Sequence, residues 1–328
     1  MPIFMYEDLV DQVTGGFLKG GFRQREARII ANHLVDAESK GVFSHGLVRV
    51  PSYMKLARMG EINTNATPSV TRSAGAVSVV DGGGGLGIAA FEYALDLAMD
   101  GIRRHGCFAA AIVNCGHTGR LGAYAERAAR NGYMAITMGG GGNGKDWSKV
   151  VPFGGAKPVM STNPYALSMA SRKYGPVYVD FATSAVAEGK VKINRVKKQN
   201  LPAGSIVDKD GKPSNNPEDF FSGGALLPAA GPKGSGMAII AELVGCAMLA
   251  EPKEFNWLLV LLDIAAFGNR NYDRAADTFL DRVKDTPVAE GFTEVLLPGE
   301  METRSNRSCE QQGIHVTDEI WSIVAPEL

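Results

Sequence analysis

Residues 76–113 read AVSVVDGGGGLGIAAFEYALDLAMDGIRRHGCFAAAIV, which is a β-type run, a helical run and a second β-type run. The two β-type runs, Ala76–Val80 and Phe108–Val113, are short, apolar and bounded by glycine or polar residues. Between them Phe91–His105 has helical spacing, and Gly106 stands where a helix commonly ends. Strands that alternate with helices predict an α/β protein, but they leave open the order and direction of the strands.

The alternation extends on both sides of this stretch. Further strands are predicted at Tyr133–Met138, Tyr165–Met169, Val177–Phe181 and Trp257–Leu262. Helices are predicted from Ala27 up to Gly41, and at Pro51–Met59, Leu121–Asn131, Gly236–Leu249, Asp273–Lys284 and Asp318–Val324. The start of the chain therefore reads as helical, and the predicted strands are confined to its middle.

The charge of the chain is balanced: 34 Lys and Arg stand against 35 Asp and Glu in 328 residues, a formal net charge of −1. Proteins that bind nucleic acid without sequence preference, or that bind membrane surfaces, need an excess of basic residues, so we expect neither partner. No apolar stretch is long enough to span a membrane, and the first residues lack the basic and apolar segments of a leader. We therefore expect a cytoplasmic protein.

The cysteines and histidines show no metal-binding pattern. Cys107, Cys115, Cys246 and Cys309 are scattered without a Cys-x-x-Cys pair, which argues against both a disulfide framework and a zinc knuckle. The histidines are not spaced as metal ligands either. No metal site is predicted.

Glycine is unusually frequent, with 40 residues, and two runs stand out. Gly82–Gly87 satisfies the G-x-G-x-x-G fingerprint, which would place a pyrophosphate at a helix N-terminus in a Rossmann fold. Asp81 beside the run, and Asn114 where an acid would bind a ribose, count against this reading. The run also resembles the first motif of Rossmann-type methyltransferases, but we favour a structural turn. The second run, Gly139–Gly144, is compatible with a ligand-lining segment or a surface loop.

Two histidines stand where functional groups tend to be carried, in short polar segments between predicted elements. They are His45 and His117. A histidine suits proton transfer in a carbonyl–alcohol interconversion because its pKa lies near neutrality. Arg49 follows His45 by four residues and Arg120 follows His117 by three. A guanidinium beside a proton donor suits a substrate with a carboxylate next to the reacting carbon, although a surface salt bridge is the alternative for either arginine.

Around these residues the sequence resembles the malate/L-lactate dehydrogenase family, which is unrelated to the Rossmann-fold dehydrogenases. The matching segments cover most of the chain in the family's order. They are Ser44–Tyr53, Gly60–Asn63, Asp81–Gly82, Asn114–Gly119, Ser161–Pro164, Val179–Ser184, Gly189–Lys190, Asp208–Pro213, Gly231–Gly236 and Pro298–Glu300. This long ordered match is far more specific than a lone glycine fingerprint.

The resemblance implies an α/β fold with a non-Rossmann, mixed, largely antiparallel sheet flanked by helices. It implies a helical N-terminal region at residues 1–70 that packs with residues 265–328. Residues 71–264 would form the α/β cofactor-binding and catalytic region, and residues 265–328 would complete the cofactor site. A homodimer with its active site near the subunit contact is also implied.

The resemblance also implies the site residues. Proton transfer is assigned to the equivalent of His45 in some members and of His117 in others, and we carry both. Arg49 would hold the substrate carboxylate, with Ser44, Arg120 and Thr162 as further substrate-binding residues. The cofactor, NAD or NADP, would contact His117, Gly119, Asn163, Asp180, Phe181, Ala182, Thr183, Ser184, Lys233, Gly234, Gly299 and Glu300.

We therefore expect reversible hydride transfer between a reduced nicotinamide and C2 of a small 2-oxo acid. The family also reduces cyclic imines next to a carboxylate, such as piperideine- and pyrroline-2-carboxylate, and the same residues would serve that substrate. A methyltransferase that uses S-adenosylmethionine is the alternative from another class. A ligand-binding relative that has lost its activity is a further reading.

Overall fold

A computed structural model of the chain describes residues 1–142, 147–249 and 251–328. The strands are β1 (Ile3–Phe4), β2 (Ser69–Ala74), β3 (Val77–Asp81), β4 (Cys107–Val113), β5 (Tyr133–Gly140), β6 (Tyr165–Met169), β7 (Val177–Phe181), β8 (Ile206–Val207), β9 (Pro213–Ser214), β10 (Ala225–Leu226), β11 (Asn256–Asp263) and β12 (Ile314–His315). The strands predicted at 165–169 and 177–181 match in both bounds, and the other predicted strands agree within two residues.

The helices are α1 (Tyr6–Lys19), α2 (Gln24–Ser39), α3 (Val50–Arg58), α4 (Gly87–His105), α5 (Leu121–Arg130), α6 (Glu188–Lys197), α7 (Pro217–Phe221), α8 (Pro232–Glu242), α9 (Tyr272–Lys284), α10 (Glu300–Gln312) and α11 (Asp318–Val324). The helix predicted at 236–249 begins earlier and changes to a π-helical turn at Leu243–Met248. Within the described ranges, no helix combines the length and the apolar character needed to cross a membrane.

The central sheet has seven strands in the order β2-β3-β4-β11-β5-β6-β7. β3 and β4 are parallel and are joined through α4, whereas the other neighbouring pairs in this sheet are antiparallel. The strand–helix–strand stretch that predicts the α/β class is therefore a single parallel crossover. The mixed, largely antiparallel sheet is confirmed.

The first core lies between this sheet and the helices α4 and α5. Small residues of α4, such as Ala90, Ala94 and Ala98, are fully buried against the alanine-rich strand β4. The Phe91 and Tyr124 rings stack with their centroids 4.1 Å apart. Small side chains on both surfaces let the helix approach the sheet closely, so that the core reaches interior packing density.

The second core joins the two ends of the chain. β1 pairs with β12, and the Phe4 ring lies 4.6 Å from that of Trp321. Buried residues of α1 and α2 share this core with Ile314 and Val324 from the C-terminal segment. Residues from both ends of the chain thus form one hydrophobic cluster.

The third core belongs to a small antiparallel sheet in the order β10-β8-β9. Its buried residues include Val150, Val191, Ile206, Phe220 and Ala238. These residues lie inside the 71–264 region that we predict as one unit. The structure therefore divides that region between two cores, because the chain leaves the large sheet after β5 and again after β7.

The glycine run that mimics a dinucleotide fingerprint forms a closed turn. The N–H of Gly82 donates to Val113 O, that of Gly83 to Asp81 Oδ1, that of Gly84 to Asn114 O, and that of Gly85 to Gly82 O. A phosphate cradle needs such N–H groups to be free. The turn therefore has a structural role, as favoured from the sequence. Its engaged N–H groups are not free to bind a pyrophosphate or S-adenosylmethionine.

The second glycine run serves close packing where it is described. A Cβ on Gly139 would overlap the Trp257 ring, and one on Gly140 would overlap the backbone of Ala241. The π-helical turn lies against the same segment, with Gly245 on the Gly140 backbone. The glycines at Gly139–Gly142 therefore allow the end of β5 to pack closely beneath α8. Asn143 and Gly144 lie outside the described residues.

Gly87→Ala is expected to destabilise the fold by about 1–3 kcal/mol, because the new Cβ would overlap the carbonyl oxygen of Gly116 and cannot be accommodated by a flexible side chain. Gly15→Ala in α1 is the matched control: nothing lies near the Cβ, and alanine gains up to about 1 kcal/mol in a helix. Urea unfolding measures both changes. Equal stability of the two variants would contradict this account of Gly87.

Candidate active site

His45 and His117 come from different parts of the fold and meet. His45 ends a short 3₁₀ turn after α2, and His117 lies in the loop between β4 and α5. Their rings stack with centroids 5.6 Å apart and planes inclined by 25°. The two histidines that the sequence singles out are therefore neighbours in the fold, although 71 intervening residues separate them in the chain.

The hydrogen bonds of His117 define its tautomer. Its Nδ1 accepts from the N–H of Gly119 at 3.0 Å and lies 2.7 Å from the hydroxyl oxygen of Tyr53. Because a backbone N–H can only donate, Nδ1 carries no hydrogen, and the neutral ring holds its hydrogen on Nε2. Burial, followed by the charge of Arg49, lowers the pKa of His117 well below its usual value. His117 is thus a neutral ring with an Nε2–H to donate.

His45 keeps a less restricted hydrogen-bonding pattern. Its Nδ1 lies 2.9 Å from Ser44 Oγ, which can donate or accept. The Arg49 Nε donates to Ser44 O at 2.7 Å, so this arginine folds back over the turn that carries His45. Burial first, and then the charges of Arg49 and Arg120, lower the pKa of His45 to about 4.

Glu38 holds the His45 turn, and sequence reasoning missed it. Its Oε2 accepts from the Leu47 N–H at 2.9 Å. The same oxygen occupies the space where a Cβ on Gly46 would lie, so only glycine fits between His45 and Leu47. Burial raises the pKa of this carboxyl. The sequence does contain a signal for this role: Glu38 lies four residues after Leu34, on the apolar face of α2. A charged residue on such a face is seldom fully buried unless it has a partner.

Tyr53 is a second residue that sequence reasoning did not single out. It lies on α3, is buried, and reaches His117 through its hydroxyl. Burial raises the pKa of this phenol above its usual value, so it stays protonated and donates to Nδ1. Its place within the matched Ser44–Tyr53 segment was the available signal.

Arg120 is placed differently from Arg49. Its side chain is buried, and Nη2 binds Asp36 Oδ2 at 2.8 Å and approaches Glu126 Oε2 at 3.4 Å. Lys40 bridges the same two carboxylates. The guanidinium is thus committed to a buried ion network, and the substrate-binding role expected for Arg120 is not supported by its contacts. Because Arg120 directly precedes α5 and is paired with buried carboxylates, its contacts support a structural role at the start of this helix.

Several predicted cofactor residues form one surface. Thr183 N–H donates to Thr162 O, and Ala229 N–H donates to Thr183 O. A Cβ on Gly234 would overlap the backbone oxygen of Ala229, so this glycine lets α8 approach the Asp180–Ser184 segment. Lys233 is exposed at the start of α8, where a cation and a helix N-terminus both favour a phosphate.

A second part of this surface connects β7 with α5 and α10. Asp180 Oδ2 accepts from the Gly122 N–H at 2.7 Å, at the first turn of α5. Gly299, with φ of +83°, packs on the Tyr178 ring. Glu300 accepts from Leu297 N–H and pairs with Lys284, so its carboxylate is already engaged. These contacts join the end of β7 to the start of α5 and to the segment before α10.

Asn163 is brought to the base of this surface rather than onto it. Its side chain is fully buried, and Nδ2 donates at 3.0 Å both to Ala238 O and to Glu242 Oε1. Glu242 also accepts from Gly141 N–H and Ser161 N–H. These contacts support a role in anchoring α8 to the cofactor segment, in place of the direct cofactor contact expected for Asn163.

Glu38→Ala is expected to cost about 1–3 kcal/mol, because it leaves the buried Leu47 N–H without an acceptor. Opening of the turn should also move the pKa of His45 upward from about 4, since burial is the main cause of its depression. Urea unfolding and NMR titration of labelled histidine measure the two effects. Glu38→Gln keeps an acceptor oxygen at the same length and serves as the control, and a Glu38→Ala protein that matches it in both readouts would contradict the assignment.

Comparison with known proteins places this geometry in a family. The family model described as malate/L-lactate dehydrogenase matches residues 4–325. L-sulfolactate dehydrogenase of Methanocaldococcus jannaschii is 32% identical over 318 residues, which cover 93% of this chain and 90% of that protein. A Δ1-pyrroline-2-carboxylate/Δ1-piperideine-2-carboxylate reductase of Pseudomonas putida is 30% identical over 329 residues, covering 96% and 93%.

The fold agrees with a solved structure over its whole length. The crystal structure of Δ1-piperideine-2-carboxylate reductase from Pseudomonas syringae superposes with a TM-score of 0.90 at 26% identity, covering 100% of both chains. The family model, the curated relatives and the solved fold thus agree. The chain belongs to the malate/L-lactate dehydrogenase family of oxidoreductases.

Proposed function

We propose that the chain interconverts a small 2-oxo acid and its 2-hydroxy acid with a nicotinamide cofactor, NAD or NADP. The observation that carries the proposal is the stacked pair of His45 and His117 beside Arg49. Arg49 can hold a carboxylate, which orients the neighbouring C2 carbon toward the two rings. The cofactor, when bound, supplies or takes up the hydride at C2.

The residues of the surface fit such a cofactor. Asp180 and Thr183 present polar groups, and Gly122, Gly234 and the exposed Lys233 provide close backbone approach and positive charge. Asp180 accepts from the Gly122 N–H through one carboxylate oxygen, and a carboxylate has further lone pairs with which it can accept from a ribose hydroxyl. We propose that these residues hold the dinucleotide beside His117.

His117 is proposed as a hydrogen-bond donor to the substrate oxygen. Its Nδ1 is held as an acceptor by Gly119, so the ring presents Nε2–H without needing a positive charge. A preorganised donor of this kind stabilises the negative charge that develops on the oxygen as the hydride arrives. The role needs no change of protonation, which agrees with the strongly lowered pKa.

His45 is proposed as the group that transfers the proton. On reduction it gives a proton to the substrate oxygen, and on oxidation it takes the proton of the hydroxyl group. Arg49 depresses the pKa of His45 in the free protein. A substrate carboxylate on Arg49 would offset that charge, so we expect substrate binding to raise the pKa of His45 and to make it a better proton carrier.

A second candidate substrate is a cyclic 2-imino acid. The proposal is supported by two relatives whose names include piperideine-2-carboxylate reductase, one of them the solved structure above. The imine nitrogen would take the place of the carbonyl oxygen, while Arg49 would hold the same carboxylate. The methyltransferase reading is not carried further, because the glycine turn on which it rests has its N–H groups engaged.

A spectrophotometric panel of 2-oxo and cyclic 2-imino acids, with NADH and with NADPH, is the direct test. We expect oxidation of at least one reduced cofactor, and we expect Arg49→Met to raise the KM for the acid by at least tenfold because the carboxylate loses its partner. Absence of turnover across the panel with both cofactors would overturn the proposed reaction.

The two histidine roles are separable by pH. His45→Asn should lower kcat of hydroxy-acid oxidation by about 10²–10⁴-fold, and the residual rate should rise with pH as hydroxide takes over the proton. His117→Asn should lower kcat by about 10²–10³-fold but keep the wild-type pH profile. His105→Asn, at an exposed histidine, is the control. A His45→Asn enzyme with the wild-type profile would refute the assignment.

We also propose a cytoplasmic homodimer. The four cysteines are free, as expected in a reducing compartment. An apolar face on α8 and the π-helical turn, formed by Ile239, Ile240, Leu243 and Met248, is exposed in the single chain. Light scattering should give twice the chain mass, and Leu243→Glu should shift it to one chain while Ile323→Glu, on α11, should not. A monomeric wild-type protein would contradict the proposal.

A further inference from the structure

Glu254 is an acidic residue beside the catalytic loop that the mechanism above does not use. It lies between the π-helical turn and β11. Its Oε2 is 3.9 Å from the position that a Cβ on Gly116 would occupy, and Gly116 directly precedes His117. The carboxylate therefore lies over the loop that carries the proposed hydrogen-bond donor.

Both charged groups and neutral hydrogen-bond donors surround Glu254. The cations that face it are Arg49 and Lys253, and the Tyr53 hydroxyl and the Cys115 thiol face it as well. Lys253 Nζ donates to Glu61 O at 2.6 Å and to Gly84 O at 2.8 Å, so this ammonium is directed at backbone carbonyls. Burial raises the pKa of Glu254 to about 7.

The charges of Arg49 and Glu254 limit the number of anionic groups that the substrate can carry. Arg49 offers one guanidinium, and the proposed function uses it for the carboxylate next to C2. A substrate with a second anionic group would bring that group close to Glu254, whose carboxylate lies beside the Gly116–His117 loop and interacts electrostatically with Arg49. Like charges in a half-buried site repel strongly because water screens them poorly.

We propose that Glu254 is a specificity-determining residue that selects 2-oxo or 2-imino acids with a single negative charge and rejects those with a second carboxylate or sulfonate. The inference rests on the proposed function. Malate and sulfolactate, which the names of two relatives specify, carry such a second group. A side chain that is neutral or that donates a hydrogen bond would be accepted, because Glu254 can accept from it.

The kinetic test compares 2-oxobutanoate, a monoanion, with oxaloacetate, a dianion. Wild-type protein should prefer the monoanion in kcat/KM, and more strongly at pH 8 than at pH 6, because Glu254 ionises between these values. Glu254→Gln should raise kcat/KM for the dianion by at least about tenfold, change that for the monoanion by less than about threefold, and remove the pH dependence of the ratio. Glu61→Gln is the control, because the Glu61 side chain is exposed and only the backbone oxygen of this residue contacts Lys253.

A binding test keeps this inference separate from the proposed reaction. Calorimetry compares oxamate, a monoanion, with tartronate, a dianion, on the wild-type protein and on Glu254→Gln. A gain of at least about tenfold in tartronate affinity on Glu254→Gln, with oxamate unchanged, supports the inference even if the turnover panel fails. An unchanged ratio in both tests overturns the role of Glu254 while leaving the reaction standing. Binding of neither anion overturns the role as well, since the opening then takes no carboxylate.

Discussion

Two backbone hydrogen bonds hold the candidate active site to the fold. The N–H of Gly116 donates to Gly85 O at 2.8 Å, and the N–H of Gly87 donates to His117 O at 3.0 Å. These two hydrogen bonds hold the glycine turn and the histidine loop side by side. A Cβ on Gly87 would overlap the carbonyl oxygen of Gly116 and push the two segments apart, whereas one on Gly85 would overlap the Ala66 side chain. Glycine at position 87 therefore lets the histidine loop lie close to the turn.

The same turn lies at the junction of two cores. Leu86 and Ile88 are buried in the core formed by the chain ends, whereas Phe91, one turn further along α4, belongs to the core of the large sheet. His45 lies two residues before Leu47 of the first core, and His117 lies two residues after Cys115 of the second. The site is therefore assembled where the two cores meet, and its geometry depends on how tightly the glycine turn locks them together.

Burial and one arginine control the proton chemistry of the site. Arg49 and desolvation keep His45 and His117 neutral, and Tyr53 stays protonated for the same reason of burial. The buried ions behind the site are paired with one another, since Arg120 and Lys40 share the carboxylates of Asp36 and Glu126. Paired charges stabilise the contact between α2 and α5, whereas Arg49 lies beside His45 and donates from Nε to Ser44 O.

The strands and helices of the middle region and the largely helical ends could be predicted from the sequence, and His45, Arg49 and His117 could be named as candidates, because periodicity and short ordered motifs are local properties. Only the tertiary structure shows that the glycine run is a closed turn, that Arg120 is paired, that Asn163 contacts α8, and that Glu38 holds the turn that carries His45. These outcomes depend on which groups from distant segments meet, for example Arg120 with Asp36, 84 residues apart. Spacing along the chain carries no record of such partners, because a hydrogen bond or ion pair between distant residues forms only once folding has brought both groups together.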